Sequence, residues 1–394
     1  MKKQIITNFR FFISLFDYVL PKDEKKVAFL MFPKQENKTD ALYDWIKKNT
    51  DYKCVRISDQ PKTIKNKTDL VSFYSFKGLF ELFTSKYIVI SVPRFMLDYI
   101  KSKRHYGVNL WHGMPIKKIG INADIKPASV RRFKYVGKYF KTFVTSDIFR
   151  LIMATSFMAE CKNVHVTGLP ITDTIFSNKN NEKVEKLFDI KKYDKVIAYL
   201  PTFKSQALSH SKQIEHEFNN IFYFDDYNEK QFFDFLEKNN ILFVVKPHPL
   251  DEKLYKNNAD KISKNPRIRV LYDADFVNND IDLYDMYKYF DLMISDFSST
   301  ALDFLILNKP VLYLDNLSKE YSEHRGMSLP DNYDIFLPGH KVKTFKELDE
   351  RLNSFLKKDD TKELRDRAMP FIHKYCDDKA CSRIFRIMQG EEDA

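Results

Sequence analysis

Cysteine pairs and glycine are scarce in this chain. Its four cysteines, Cys54, Cys161, Cys376 and Cys381, include no C-x-x-C pair. A disulfide framework or a structural zinc site is therefore not expected in a chain of this length. His373, Cys376 and Cys381 have a ligand-like spacing, but thiols along a C-terminal helix account for them without a metal. Nine glycines occur among 394 residues, and none belongs to a G-x-G-x-x-G or Walker loop, so the glycine-built phosphate cradles are missing. There is no H-E-x-x-H, and the acidic stretches Asp282–Asp285 and Tyr223–Tyr227 read as helix starts or surface loops. No metal or other cofactor is expected. RGG tracts, zinc-finger spacings and a basic helix-turn-helix are also missing, which argues against nucleic acid as the partner. The net charge of +11, from 65 basic and 54 acidic residues, then favours other phosphate-rich partners: nucleotides or the anionic face of a membrane.

A bilayer-spanning run is lacking too. The N-terminal "MKKQIITNFRFFISLFDYVLPKDEKK" starts like a secretory signal, but Arg10 and Asp17 interrupt its apolar run and Pro21 stops it. No small-residue cleavage site follows, and the run is too short and too charged to span. Ile5, Phe9, Phe12, Ile13, Phe16, Val19 and Leu20 recur at helical spacing beside Lys2, Lys3 and Arg10. Two readings fit residues 1–22: a helix lying in a membrane interface, or one docked on the protein's own core. The thiol usage fits a reducing cytoplasm, so a cytoplasmic protein is expected, and the first of the two readings adds peripheral association with the inner face of the plasma membrane.

What the sequence does have is core. Hydrophobic residues make up 44% and include 35 Phe and 22 Tyr, enough for two domains. Continuous apolar runs predict strands at Val27–Met31, Tyr87–Val92, Val108–Trp111, Thr142–Thr145 and Asn163–Val166. A second series follows at Val196–Leu200, Leu242–Val245, Ile268–Tyr272, Leu292–Ser295 and Val311–Leu314. Amphipathic stretches such as Ala41–Lys48, Glu229–Lys238 and Ser299–Leu307 alternate with them, the pattern of parallel sheets covered on both faces. The polar segment Ser177–Lys186 separates the two series. The expected fold class is α/β, with two doubly wound Rossmann-like domains, residues 23–175 and 176–370, and a C-terminal helix at 371–394. Ligands of such sheets sit at the carboxyl ends of the strands.

Three constellations fall at those ends. In "GVNLWHGMPIKKIG", Gly107–Gly120, His112 follows the strand that ends in Trp111, Gly113 permits a tight bend, and Lys117 comes shortly after. A histidine so placed suits a general base; the alternative is a structural histidine beside a buried tryptophan. In "ILFVVKPHPL", His248 stands between two prolines that stiffen its aim. The alternative there is a rigid turn with an incidental imidazole. In "LMISDFSSTALDFLILNKPVLYLD", Ser298, Ser299 and Thr300 open a helix after Ser295-Asp296. This is a phosphate-binding arrangement without glycine, or ordinary N-capping.

Taken together, "LWHGMPIKKIG", "YLPTFK", "VVKPHP", "SDFSSTALDFLILNKPVLYLD" and "HRGM…LPG", in that order, resemble the CDP-glycerol glycerophosphotransferase family of teichoic acid and capsule synthesis. The resemblance covers roughly residues 25–390. It implies a GT-B fold with two domains facing a cleft, the acceptor bound mainly by the first and the CDP-activated donor by the second. It implies transfer of glycerol phosphate or ribitol phosphate from CDP-glycerol or CDP-ribitol to a hydroxyl of a lipid-linked or polymeric glycan, releasing CMP. The family's functional histidines map onto His112 and His248, and its phosphate-binding hydroxyls onto Ser298, Ser299 and Thr300. On the donor side Thr202, Lys204 and Arg325 are expected to add contacts, and on the acceptor side Trp111, Gly113 and Lys117. One departure is "GLPITD", Gly168–Asp173, where members commonly read "GYPRND" and this chain has Ile171 for the arginine. A CMP-sugar glycosyltransferase of the sialyl or Kdo type also uses an "HP" turn and a serine pair. A third reading, from another class, is a non-catalytic nucleotide-binding subunit of a membrane assembly.

Overall fold

A computed structural model of the chain describes residues 12–31, 37–64, 68–123, 126–176, 181–202, 218, 220–262, 264–316, 326–329 and 333–391. The chain divides into two compact units. The first takes residues 1–114, 119–177 and 374–394, and the second takes 115–118 and 178–373.

The first unit is built on seven strands: β1 (Asp23–Met31), β2 (Lys53–Ser58), β3 (Leu70–Ser72), β4 (Ser85–Ile90), β5 (Tyr106–Asn109), β6 (Phe140–Val144) and β7 (Val164–Val166). All pair in parallel in the order β3-β2-β1-β4-β5-β6-β7. The second unit holds six strands: β8 (Lys195–Leu200), β9 (Ile241–Val245), β10 (Ile268–Val270), β11 (Leu292–Ser295), β12 (Val311–Leu314) and β13 (His340–Val342). Their order, β10-β9-β8-β11-β12-β13, is again all parallel. In both sheets the winding reverses beside the first strand, which leaves a crevice at the carboxyl ends of β1 and β4 and of β8 and β11. Residues such as Phe29, Val89, Val108 and Phe143 fill the first core, and Tyr199, Phe243, Leu292 and Ile294 the second. Burial on both faces explains why these strands read as unbroken apolar runs.

Three strands were not anticipated, β2, β3 and β13, and the expected strand Val108–Trp111 ends at Asn109. In the segment carrying Ile171, Asp173 accepts hydrogen bonds from the amides of Ala380 (3.0 Å) and Cys381 (2.8 Å). It thereby seats the Ala380–Met388 helix, whose Cys381, Ile384 and Met388 complete the first core.

The N-terminal helix is inside out relative to an ordinary amphipathic helix. Its described turns, residues 12–19, expose Phe12 (64%), Phe16 (59%) and Val19 (77%) while Asp17 is wholly buried (0%). Asp17 accepts from Lys22 Nζ (2.8 Å) and from the amides of Lys101 (2.6 Å) and Ser102 (2.7 Å), and it meets His105 Nε2 at 2.6 Å. Lys22 also donates to the Phe83 carbonyl, and His105 Nδ1 reaches the Ser85 carbonyl. Burial pushes the Asp17 carboxyl up, but the hydrogen bonds and charge of His105, with Lys22 and the Ser102 amide, outweigh it and hold it well below the usual carboxylate range. The helix therefore docks through its polar side at the amino-terminal ends of β1, β4 and β5. Ile5 and Phe9 of the predicted stripe lie outside the described residues.

Candidate functional site

In the first unit the site begins where β5 stops. Trp111 is in the left-handed backbone region (φ +54), a conformation that costs a bulky residue about 1–3 kcal/mol. It is held there by its amide donating to Asn109 Oδ1 (3.2 Å) and by a buried ring set edge-on to Phe157 and Phe133. Asn109 is itself fixed by Thr142 Oγ1 at 3.1 Å. Gly113 follows at φ +132, a value that a side chain would resist. Between them His112 is half-buried, its ring 4.1 Å from that of Trp111 and its Nδ1 3.3 Å from the Ser91 carbonyl beyond β4. A carbonyl can only accept, so in the neutral ring Nδ1 carries the proton and Nε2 the lone pair. That is the tautomer of a base. Nothing in the sequence pointed to Ser91, because a backbone carbonyl has no residue-type signature.

Lys117 is not grouped with His112. Residues 115–118 belong to the second unit, through an antiparallel bridge between Lys117 and Met327 and hydrogen bonds from Lys118 N to Gly326 O (3.0 Å) and Ser328 N to Ile116 O (2.8 Å). In that unit it adds positive charge around His248.

His248 stands just past β9, and its Nδ1 accepts the Leu250 amide at 3.2 Å. An amide can only donate, so the proton of the neutral ring is on Nε2. Burial lowers the His248 pKa below the usual histidine value, Lys246 and Lys117 lower it further, and Asp251 and Asp273 oppose them. His248 is thus a neutral donor at neutral pH, the opposite tautomer to His112. Sequence reasoning gave no role to Lys246, whose Nζ bonds the Pro247 carbonyl and Asp273 (both 2.9 Å) and lies 3.4 Å from Glu252. Its place after a strand end was the available signal.

At the sheet reversal of the same unit, Asp296 is buried and accepts from Thr202 N (2.9 Å) and Thr202 Oγ1 (2.9 Å). The expected donor-side Thr202 therefore gives its hydroxyl proton to Asp296 and ties the end of β8 to the end of β11. Ser298 is the N-cap of the Ser299–Leu305 helix, and its Oγ lies 2.7 Å from Thr300 Oγ1. Ser298, Ser299 and Thr300 are all half-buried. Lys204 and Arg325 lie outside the described residues. Among the described residues no group of three or more His, Cys, Asp and Glu could hold a metal ion.

Comparison with known proteins bears on both units. The sequence model of the family described as CDP-Glycerol:Poly(glycerophosphate) glycerophosphotransferase matches residues 12–389. The teichoic acid glycerol-phosphate primase of Bacillus subtilis (strain 168) is 28% identical over 273 residues, which cover 67% of this chain and 64% of that protein. The chain thus spans slightly less than two thirds of the primase. The teichoic acid poly(glycerol phosphate) polymerase of Bacillus spizizenii is 23% identical over 394 residues, covering 90% of this chain and 94% of that one. Among solved structures, the wall teichoic acid polymerase TagF superposes with a TM-score of 0.75 at 16% identity, covering 98% of this chain and 95% of its own. A putative UDP-N-acetylglucosamine 2-epimerase from Listeria monocytogenes gives 0.57 at 11% identity, covering 93% and 98%. These likenesses establish a two-domain fold of the GT-B type.

Proposed function

This chain belongs to the CDP-glycerol:poly(glycerophosphate) glycerophosphotransferase family, and from that membership we propose that it transfers a polyol phosphate from CDP-glycerol or CDP-ribitol to an acceptor hydroxyl in teichoic acid or capsule synthesis. The acceptor oxygen attacks the β-phosphorus, its proton passes to His112 Nε2, the bond from that phosphorus to the bridging oxygen breaks, and CMP leaves. His248 donates Nε2–H to the diphosphate, and Lys117, Lys246 and the hydroxyls of Ser299 and Thr300 stabilise its charge. Trp111 and Gly113 hold His112 in place. The observation that carries this reading is the pair of opposite histidine tautomers, one fixed by the Ser91 carbonyl and the other by the Leu250 amide. A CMP-sugar transferase forms no phosphodiester. The test is incubation with CDP-glycerol and CDP-ribitol separately, with defined acceptors, measuring CMP and the linkage formed. CMP release with a phosphodiester product supports the reading, and a product joined by a glycosidic bond overturns it.

Two further outcomes are expected. Ser299→Ala should weaken donor binding through a hydrogen bond to a charged oxygen worth about 1.5–3 kcal/mol, with the melting temperature unchanged. Ser298→Ala should weaken binding and also destabilise, because it removes a helix cap worth about 1 kcal/mol. Calorimetry alongside thermal unfolding separates the two. For pH, the lowered His248 pKa means that its protonation begins only below the ordinary histidine value of about 6.5. Donor affinity should stay level from there upward and change only in more acid solution, as titration calorimetry at stepped pH would record.

We further propose peripheral attachment to an anionic membrane, where lipid-linked acceptors are held. Among the described residues no helix is long and apolar enough to cross a membrane. The support is the outward apolar face of residues 12–19, whose Phe12, Phe16 and Val19 suit the boundary of headgroups and acyl chains.

A further inference from the structure

The first unit contains a cavity of about 630 Å³ at the opposite end of β5 from His112. One wall is Ser14 of the N-terminal helix, another is the loop Lys101–His105 that leads into β5, and a third is the Pro127–Tyr139 helix. The residues that carry its charge are Lys101, Lys103, Arg131 and Lys138, all exposed. Among the described residues the one carboxylate in its lining, Asp98, is held by Arg132 at 3.1 and 2.7 Å, with Arg131 at 3.9 Å. Asp17 adds no negative charge to the cavity, being buried against Lys22 and His105. The cavity is therefore cationic, and Tyr139, partly exposed, supplies an amphipathic ring at its edge.

We infer that this cavity takes the phosphate of an anionic bilayer lipid. The inference rests on the membrane attachment proposed above and names the group that is recognised. The occupant follows from charge complementarity together with position. The helix that supplies Ser14 to the cavity turns Phe12, Phe16 and Val19 outward. A bilayer surface offers both complements at once, acyl chains for the aromatic and aliphatic side chains and phosphates for the cations. A soluble anion would satisfy the cations and leave the apolar face in water. The site is distinct from the transfer chemistry, because the strand separates the loop that begins at Lys101 from His112. The cavity volume falls within the range usual for small-ligand sites.

The experiment is flotation of the full chain with vesicles of phosphatidylcholine, with and without phosphatidylglycerol. The pocket variant combines Lys101→Gln, Lys103→Gln, Arg131→Gln and Lys138→Gln. A control of equal charge combines Lys238→Gln, Lys253→Gln, Lys346→Gln and Lys357→Gln, all exposed and in the second unit. Each cation at an anionic surface is worth about fivefold in affinity, so the pocket variant, which removes four, should lose as much as about 600-fold of the phosphatidylglycerol-dependent binding. The control should lose much less, and turnover on a short soluble acceptor should be unchanged in both. Acetylation of the wild-type protein gives a check that does not depend on any variant folding: phosphatidylglycerol vesicles should protect Lys101, Lys103 and Lys138. Equal losses in the two variants, or no protection of those lysines, would overturn the cavity and leave the membrane reading standing. Displacement from vesicles by free pyrophosphate, but not by chloride at matched ionic strength, would make this a soluble-anion site and overturn the lipid assignment. A wild-type protein that ignores every vesicle would overturn the membrane reading itself.

Discussion

His112→Ala is expected to slow CMP release by about 10²–10⁴-fold, the range a positioned base contributes, while CDP-polyol affinity changes by no more than a few-fold. The two effects separate because the imidazole acts on the acceptor proton, whereas the groups proposed to hold the donor all belong to the second unit. The geometry sharpens the expectation. With Nδ1 held at 3.3 Å from the Ser91 carbonyl, only Nε2 can take a proton. His112→Gln is therefore informative beside the alanine variant: its amide can keep a hydrogen bond to Ser91 but cannot accept a proton near neutral pH. Both variants should be equally slow if basicity matters, whereas recovery in the glutamine variant alone would make His112 a positioning residue. Near-wild-type turnover by folded His112→Ala would remove it from the mechanism.

The sequence located the candidate residues at strand ends more fully than it located the architecture around them. The positions of His112, His248 and Ser298–Thr300 beyond strand ends were legible because continuous apolar runs mark strands. The strands it did not mark share a physical cause. β2 carries Lys53 and Arg56, β3 reads Leu-Val-Ser and β13 His-Lys-Val, so none of them forms a continuous apolar run. Trp111 reads as a strand residue because tryptophan favours strands, yet contacts with Phe157 and Phe133 and the Asn109 side chain hold it left-handed. The grouping of Lys117 with the second unit depends on backbone bonds to residues 326–328, some two hundred positions away, and no local pattern encodes it. The N-terminal helix was legible as a helix, but its orientation was not. Periodicity fixes which residues share a face, while the direction that face takes is set by the partners of Asp17, which come from 84 to 88 residues further on except for Lys22.

That orientation yields the second large effect. Asp17→Ala is expected to destabilise the first unit by about 3–5 kcal/mol, the cost of removing one member of a buried ion pair. The substitution strands the Lys22 ammonium, which is almost fully enclosed, together with the amides of Lys101 and Ser102 that pointed at the lost carboxylate. Phe16→Ser and Val19→Ser, at positions that are 59% and 77% exposed, should change stability by no more than about 0.5 kcal/mol. A polar substitution that unfolds and two apolar ones that do not is the reverse of an ordinary amphipathic helix, and it follows from docking by the polar side. The pH dependence has a definite sign. Because the folded-state pKa of Asp17 is depressed, its contribution is complete above the ordinary aspartate value of about 3.9. It is lost as the pH falls from there through the folded value. Denaturant unfolding of the three variants, with hydrogen exchange at Lys101 and Ser102 as the local readout, measures all of this. Loss of protection at those two amides in Asp17→Ala is the specific signature. Unfolding by Phe16→Ser with Asp17→Ala unaffected would place the apolar face in the core and withdraw it from the membrane.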